Sequence, residues 1–144
     1  MLVLLTILGT FSSFLADDSL ENRSILAQQI PPDHVRARGI ILSIFSKPTD
    51  TGKCQQLRCW ALVEVVKIEG YGSGFTGALS PKDTIQVKFS RTLESTKYIF
   101  PNDTNHLPGL KVSEVFVADV KQRISPLQAQ NTNTYEIKNY TLMN

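Results

Sequence analysis

Residues 84–90, Thr84-Ile85-Gln86-Val87-Lys88-Phe89-Ser90, alternate apolar and polar side chains without a fault. Successive side chains of an extended chain point to opposite faces, so a period of two specifies a half-buried strand. Residues 60–69, Trp60-Ala61-Leu62-Val63-Glu64-Val65-Val66-Lys67-Ile68-Glu69, are apolar enough to lie at the centre of a sheet. Between the two runs stands Gly70-Tyr71-Gly72-Ser73-Gly74-Phe75-Thr76-Gly77. A strand, a glycine-rich connection and a second strand form the stretch around which the chain is organised.

Three further runs complete the pattern. Residues 34–46 read as a long strand in which Val35 and Ala37 face one way and Arg36 and Arg38 the other. After Gly39 the apolar set becomes Ile40, Leu42 and Ile44, and a change of phase at a glycine predicts a β-bulge or a sharp bend. Residues 110–121 and 135–142 supply a fourth and a fifth strand. The turn Lys47-Pro48-Thr49-Asp50-Thr51-Gly52-Lys53, the irregular stretch 91–109 and the Gln- and Asn-rich stretch 125–133 separate them. No long stretch carries helical periodicity; Leu20, Ile25 and Leu26 suit at most one amphipathic turn, stopped by Pro31-Pro32. The expected fold is all-β: a small five-stranded, OB-like closed or partly closed barrel, closure hiding the strand edges that five isolated strands would expose.

The strand order resembles the OB-fold barrels of the netrin-like and tissue-inhibitor-of-metalloproteinase-like group. So do the turn Leu79-Ser80-Pro81-Lys82-Asp83 ahead of residues 84–89 and the later Pro108-Gly109-Leu110-Lys111-Val112-Ser113-Glu114-Val115-Phe116. In that group a K-P-G-D type turn delivers a strand and an L-x-V-G-x-x-Y segment opens a later one. The resemblance spans roughly residues 34–142. The chain departs from it in the insertion at residues 70–77 and in Ser113, which stands where glycine is usual. Protease inhibition in that group uses a cysteine at the mature amino terminus; none is near residue 17, so that activity is not carried over.

A length of 144 residues fits one core. Fifteen Lys and Arg stand against 13 Asp and Glu, so no overall basic field calls for nucleic acid or an anionic membrane. Residues 1–16 hold no charged side chain and are followed by Asp17 and Asp18. The run is short for a span, which needs about 20 apolar residues, and suits a signal-peptide core, with an uncleaved anchor as the other reading. Residues 17–33, closed by Pro31-Pro32, read as a linker, with the barrel domain over 34–144. The two cysteines, Cys54 and Cys59, are expected to form a disulfide in a secreted or periplasmic protein. Four intervening residues and no nearby histidine supply too few ligands for zinc.

No enzyme signature emerges. Gly72, Gly74 and Gly77 make a formal G-x-G-x-x-G, but Pro81 and the strand from Thr84 leave no room for the helix whose amino terminus would face a pyrophosphate. A loop bearing Tyr71 and Phe75, a binding lip, is the expected role. His34 and His106 read as surface residues. Glu64 and Glu69, five apart on one strand, face opposite sides and do not make a catalytic carboxylate pair. No catalytic residue, cofactor or metal is expected. Trp60 beside Cys59 is expected to pack on the disulfide. Asn22-Arg23-Ser24, Asn102-Asp103-Thr104 and Asn139-Tyr140-Thr141 match the glycosylation acceptor pattern. The expected function is an exported binding module for a protein or envelope component. The alternative, an oligonucleotide- or oligosaccharide-binding OB module, requires Arg36, Arg38, Lys88 and Arg91 to form one patch with Tyr71 and Phe75. Export takes nucleic acid out of reach as a partner.

Overall fold

The computed structural model describes residues 25–124 and 134–144; the apolar segment 1–16, the Asn22 acceptor site and the stretch 125–133 lie outside the described residues. Five strands carry the fold: β1 (His34–Phe45), β2 (Trp60–Tyr71), β3 (Thr84–Phe89), β4 (Val115–Arg123) and β5 (Thr134–Met143). They are hydrogen-bonded in the order β1-β2-β3-β5-β4, and β4 returns to β1, so the sheet runs round in a ring. Every pairing is antiparallel except that of β3 with β5, where Gln86 lies opposite Thr134 and Phe89 opposite Ile137. Among the described residues the helical content is two 3₁₀ turns, Ile25–Ala27 and Gly52–Gln55.

The period-two pattern of β3 folds as the sequence expects, with Ile85, Val87 and Phe89 inside the ring and Thr84, Gln86 and Lys88 outside. The interior is filled by Val35, Ile41, Val63 and Val65 together with the aromatic trio Phe89, Phe116 and Tyr140. The three rings meet edge-on, with centroids 5.9 to 6.3 Å apart, the arrangement their quadrupoles favour. Burial raises the Tyr140 hydroxyl to about 12, against the lowering effect of the Gly109 N–H that donates to it at 2.8 Å. The connection 72–83 seals one end of the ring with Leu79, and the connection 90–114 seals the other with Leu93, Leu107 and Leu110.

Three expectations need correction. Gly39 does not switch the phase of β1: Val35, Ala37, Gly39 and Ile41 are all buried, and Leu42 is 39% exposed. The switch comes at Leu42, the extra residue where the register against β2 shifts between Ile41 and Ser43, after which Ile44 packs on the core. A shift does fall at Arg38/Gly39, but there the extra residue is Val66 of β2. Gly39 is small because a Cβ would stand 2.7 Å from Val63 Cγ1 and 3.3 Å from the Phe116 ring. Second, β4 starts at Val115 rather than Leu110. Leu110 is drawn into the core, and residues 111–114 form a turn closed by the Glu114 N–H donating to Lys111 O at 3.1 Å.

Third, of the expected linker 17–33 only residues 25–33 are described, and these pack on the ring. Ile25 is buried, its N–H donating to Thr141 Oγ1 at 3.5 Å, and Gln28 O accepts from Arg36 Nη1 at 2.6 Å. The Asp33 N–H donates to Ser73 O at 2.8 Å, tying this segment to the glycine-rich connection.

Candidate functional site

Because Ala61, Val63 and Val65 point inward, Trp60 points out of the ring. It is nevertheless only 5% exposed, because the connection between β1 and β2 folds over it. Cys54, Cys59, Trp60 and Phe45 form a hydrophobic cluster separate from the interior, as the sequence position beside Cys59 suggests. The Cys54–Cys59 disulfide, with a Cα separation of 5.6 Å, pins the connection at its base. Phe45 stacks on the Trp60 ring at 6.3 Å.

Asp50 sets the geometry of this connection. Its Oδ2 accepts the Lys47 N–H at 2.8 Å and its Oδ1 accepts the Trp60 indole N–H at 2.8 Å. One carboxylate thereby closes a tight turn, fixes the indole and aims the Lys47 side chain. The Lys47 ammonium stands 3.6 Å above the Trp60 ring centre and donates to Gln86 Oε1 at 3.2 Å. Two more cations reach the same ring: Lys88 Nζ from β3 and Arg123 Cζ from the end of β4, each 5.9 Å from its centre. Glu136 borders the group, 3.5 Å from Arg123 Nε, and accepts from Ser90 Oγ at 2.8 Å.

The cations feel one another. Lys47 is held below the ordinary lysine value chiefly by burial, and Arg123 and Lys88 push the same way against the opposing attraction of Asp50. Burial alone would raise the Asp50 carboxyl. The Lys47 N–H, the Trp60 indole and the charges of Lys88 and Lys47 outweigh it and hold Asp50 below the usual carboxylate value. The face is a compact group of three cations and two carboxylates built on one aromatic ring, with Asp50 already occupied by its two donors.

Of the residues expected to form a binding surface, only Lys88 belongs to this group. Arg36 is 3% exposed, gripping Asp119 through Nε at 2.7 Å and Nη2 at 2.9 Å beneath the segment 25–33. Arg38 Nη2 lies 2.8 Å from Glu69 Oε1, a charge contact without hydrogen-bond geometry, beside the bulge of β2. Arg91 pairs with Asp103 at 2.8 Å in the connection 90–114. Tyr71 is exposed, its ring 5.8 Å from that of Phe75, which leans on the core at the far end of β2 from Trp60. The basic and aromatic residues that an oligonucleotide-binding surface would need together are thus spread over separate regions, the arginines each paired with a different carboxylate.

The glycine-rich connection is held at its start. The Gly72 N–H donates to His34 O at 2.7 Å, and a Cβ there would sit 2.0 Å from Pro31 O, so glycine is required by this close approach of two backbones. No helix follows; the chain passes through Leu79 directly into β3. The two histidines line different cavities. One of about 360 Å³ brings His34 near Asp119, but both Asp119 oxygens are taken by Arg36, which leaves no free carboxylate to orient an imidazole. The other, about 700 Å³ beside His106, has no carboxylate side chain in its lining.

Sequence reasoning overlooked Lys47, Asp50, Gln86 and Arg123. Strand parity alone sets Trp60, Gln86 and Lys88 on one face, and the Lys47-to-Asp50 spacing is that of an Asp-closed turn. Arg123 carries no such signal, because its approach depends on the parallel β3–β5 pairing. Comparison with protein-family models, with curated proteins and with solved structures finds no match for this chain.

Proposed function

We propose that this chain is an exported binding module on an OB-type barrel, engaging a protein or envelope component through the outer face around Trp60. The ring order β1-β2-β3-β5-β4 with one parallel pairing supports the barrel assignment, since the OB fold is a five-stranded Greek-key barrel that binds ligands on its strand 2–3 face. Two backbone details add to the resemblance. Lys82 and Ser113 adopt positive φ, 75° and 73°, at the two places where the netrin-like group carries glycine. The disulfide points to an oxidising compartment. Among the described residues no helix is long and apolar enough to cross a membrane.

The observation that carries the binding role is the Trp60 face itself: a disulfide-pinned connection holds an outward aromatic ring and a group of charges outside the core. A barrel needs none of this to close. A photo-crosslinking residue at Thr49, an exposed position in the connection over Trp60, compared with one at Tyr98 in the connection 90–114, tests it in the native host. A discrete adduct from position 49 alone is expected; identical adducts from both positions overturn the assignment. Mass spectrometry of the same material tests export. Loss of the apolar leader and a disulfide-bonded pair are expected, and a retained Met1 with free thiols overturns it.

A further inference from the structure

The Trp60 face also indicates what chemistry it recognises. We propose that Lys47, Lys88 and Arg123 form a receptor for a tetrahedral oxyanion, a phosphate or sulfate group borne by the partner; this rests on the binding-module reading above. Three cationic groups from three separate segments converge on one ring centre, at 3.6, 5.9 and 5.9 Å. Their local counter-charge is incomplete. Asp50 is turned toward the indole and the Lys47 backbone, and Glu136 sits at the Arg123 edge while also holding Ser90. Lys88 forms no ion pair among the described residues; its ammonium stands 5.9 Å from the ring centre, and its charge reaches Asp50 only at longer range.

The geometry favours an anionic group over a ring-shaped ligand. Trp60 is 5% exposed, with Phe45 stacked on it and Lys47 over its ring centre, so no open aromatic surface remains on which a base or sugar could stack. What the face still offers is N–H donors carrying positive charge. An ammonium from β3 and a guanidinium from β4 beside a pre-set Lys47 suit the three or more acceptor oxygens of a phosphate or sulfate, and charge-assisted bonds of this kind are the strong ones. Gln86 and Asp50 position Lys47 by their contacts at its two ends and are positioning residues.

The test exploits the single tryptophan of the chain. Trp60 emission is followed on the full disulfide-bonded protein while inorganic phosphate, inorganic sulfate or sodium chloride is added at matched ionic strength. A saturable change with phosphate or sulfate and none with chloride is expected. In the Lys88→Gln/Arg123→Gln double variant the apparent affinity should fall by about tenfold or more, while a Lys97→Gln control keeps it and the far-ultraviolet spectrum of each variant matches wild type. Phosphate preferred over sulfate assigns a phosphoryl source; the reverse assigns a sulfated glycan. An equal response to chloride, or an affinity unchanged in the double variant, overturns the oxyanion site. So does tight binding of a thymidine oligomer that persists in the double variant. A crosslinked adduct at position 49 that forms equally in the double variant would leave the binding module standing and remove only the oxyanion assignment.

Discussion

The interior of the ring and the face around Trp60 both enclose aromatic rings, yet they are held by different forces. Inside, Phe89, Phe116 and Tyr140 are gripped on all sides by aliphatic side chains from all five strands. Outside, Trp60 rests on a disulfide, one stacked phenylalanine, one hydrogen bond and a cation. The first arrangement is closed, and most of its stability grows with area removed from water. The second is directional, and its disulfide, its carboxylates and its cations open it to reduction, pH and ionic strength. That difference separates the part that makes the fold from the part where we propose that a ligand is read.

Breaking the interior should have the larger effect. Phe116 is 1% exposed and lies against both Phe89 and Tyr140. Phe116→Ala should cost about 3–5 kcal/mol in urea unfolding, through lost transfer energy and the cavity left behind. Comparable loss from truncating Phe45, which packs on the Trp60 and disulfide cluster, would erase the distinction between the regions.

On the outer face the leading effect belongs to Asp50. Asp50→Ala strands the indole N–H and the Lys47 N–H together, and should cost about 1–3 kcal/mol. It also carries a pH signature. Its folded carboxyl titrates below the unfolded one, so its contribution is complete above the unfolded value of about 3.9 and drains away as pH falls through the folded value. Urea midpoints taken between neutral and acid pH should therefore fall more steeply for wild type than for Asp50→Asn. Parallel curves would show that the carboxylate is not what orders this face.

Reducing Cys54–Cys59 should be milder. Closing so short a loop constrains the unfolded chain by at most about 2 kcal/mol. Thiol reagent should change Trp60 emission while leaving the ring folded, because the disulfide touches the outer cluster and none of the interior. Loss of the whole far-ultraviolet spectrum on reduction would mean that the two regions unfold as one.

The contrast also accounts for what could be read from the residues alone. The β3 alternation and the five apolar runs report the interior, because burial on one face of a strand leaves a period that survives in one dimension. The disulfide and the packing of Trp60 on it were legible because their residues are near one another in sequence. The phase of β1 was not, because Leu42, an apolar residue, is the one extruded by the bulge, and hydropathy cannot distinguish an extruded leucine from a core one. The destinations of Arg36, Arg38 and Arg91 were hidden too. Each depends on a carboxylate 83, 31 or 12 positions away, Asp119, Glu69 and Asp103, brought close only by the ring.

The smallest effect concerns the two turns that carry the resemblance. Lys82 and Ser113 occupy the left-handed region, where an L side chain costs roughly 1–2 kcal/mol. Glycine removes that cost but returns about 0.5–1 kcal/mol of extra freedom to the unfolded chain. Lys82→Gly and Ser113→Gly should thus each raise stability by about 0.5–1 kcal/mol in thermal or urea unfolding. Gly109→Ala is the opposing control. Its φ is +90° and a Cβ would lie 2.9 Å from the Ser95 backbone nitrogen, so the same region should reject a side chain there. If both glycine variants were destabilised while Gly109→Ala was neutral, these turns would not have the backbone on which the resemblance to the netrin-like pattern draws, and the OB-type barrel we propose would rest on ring order alone.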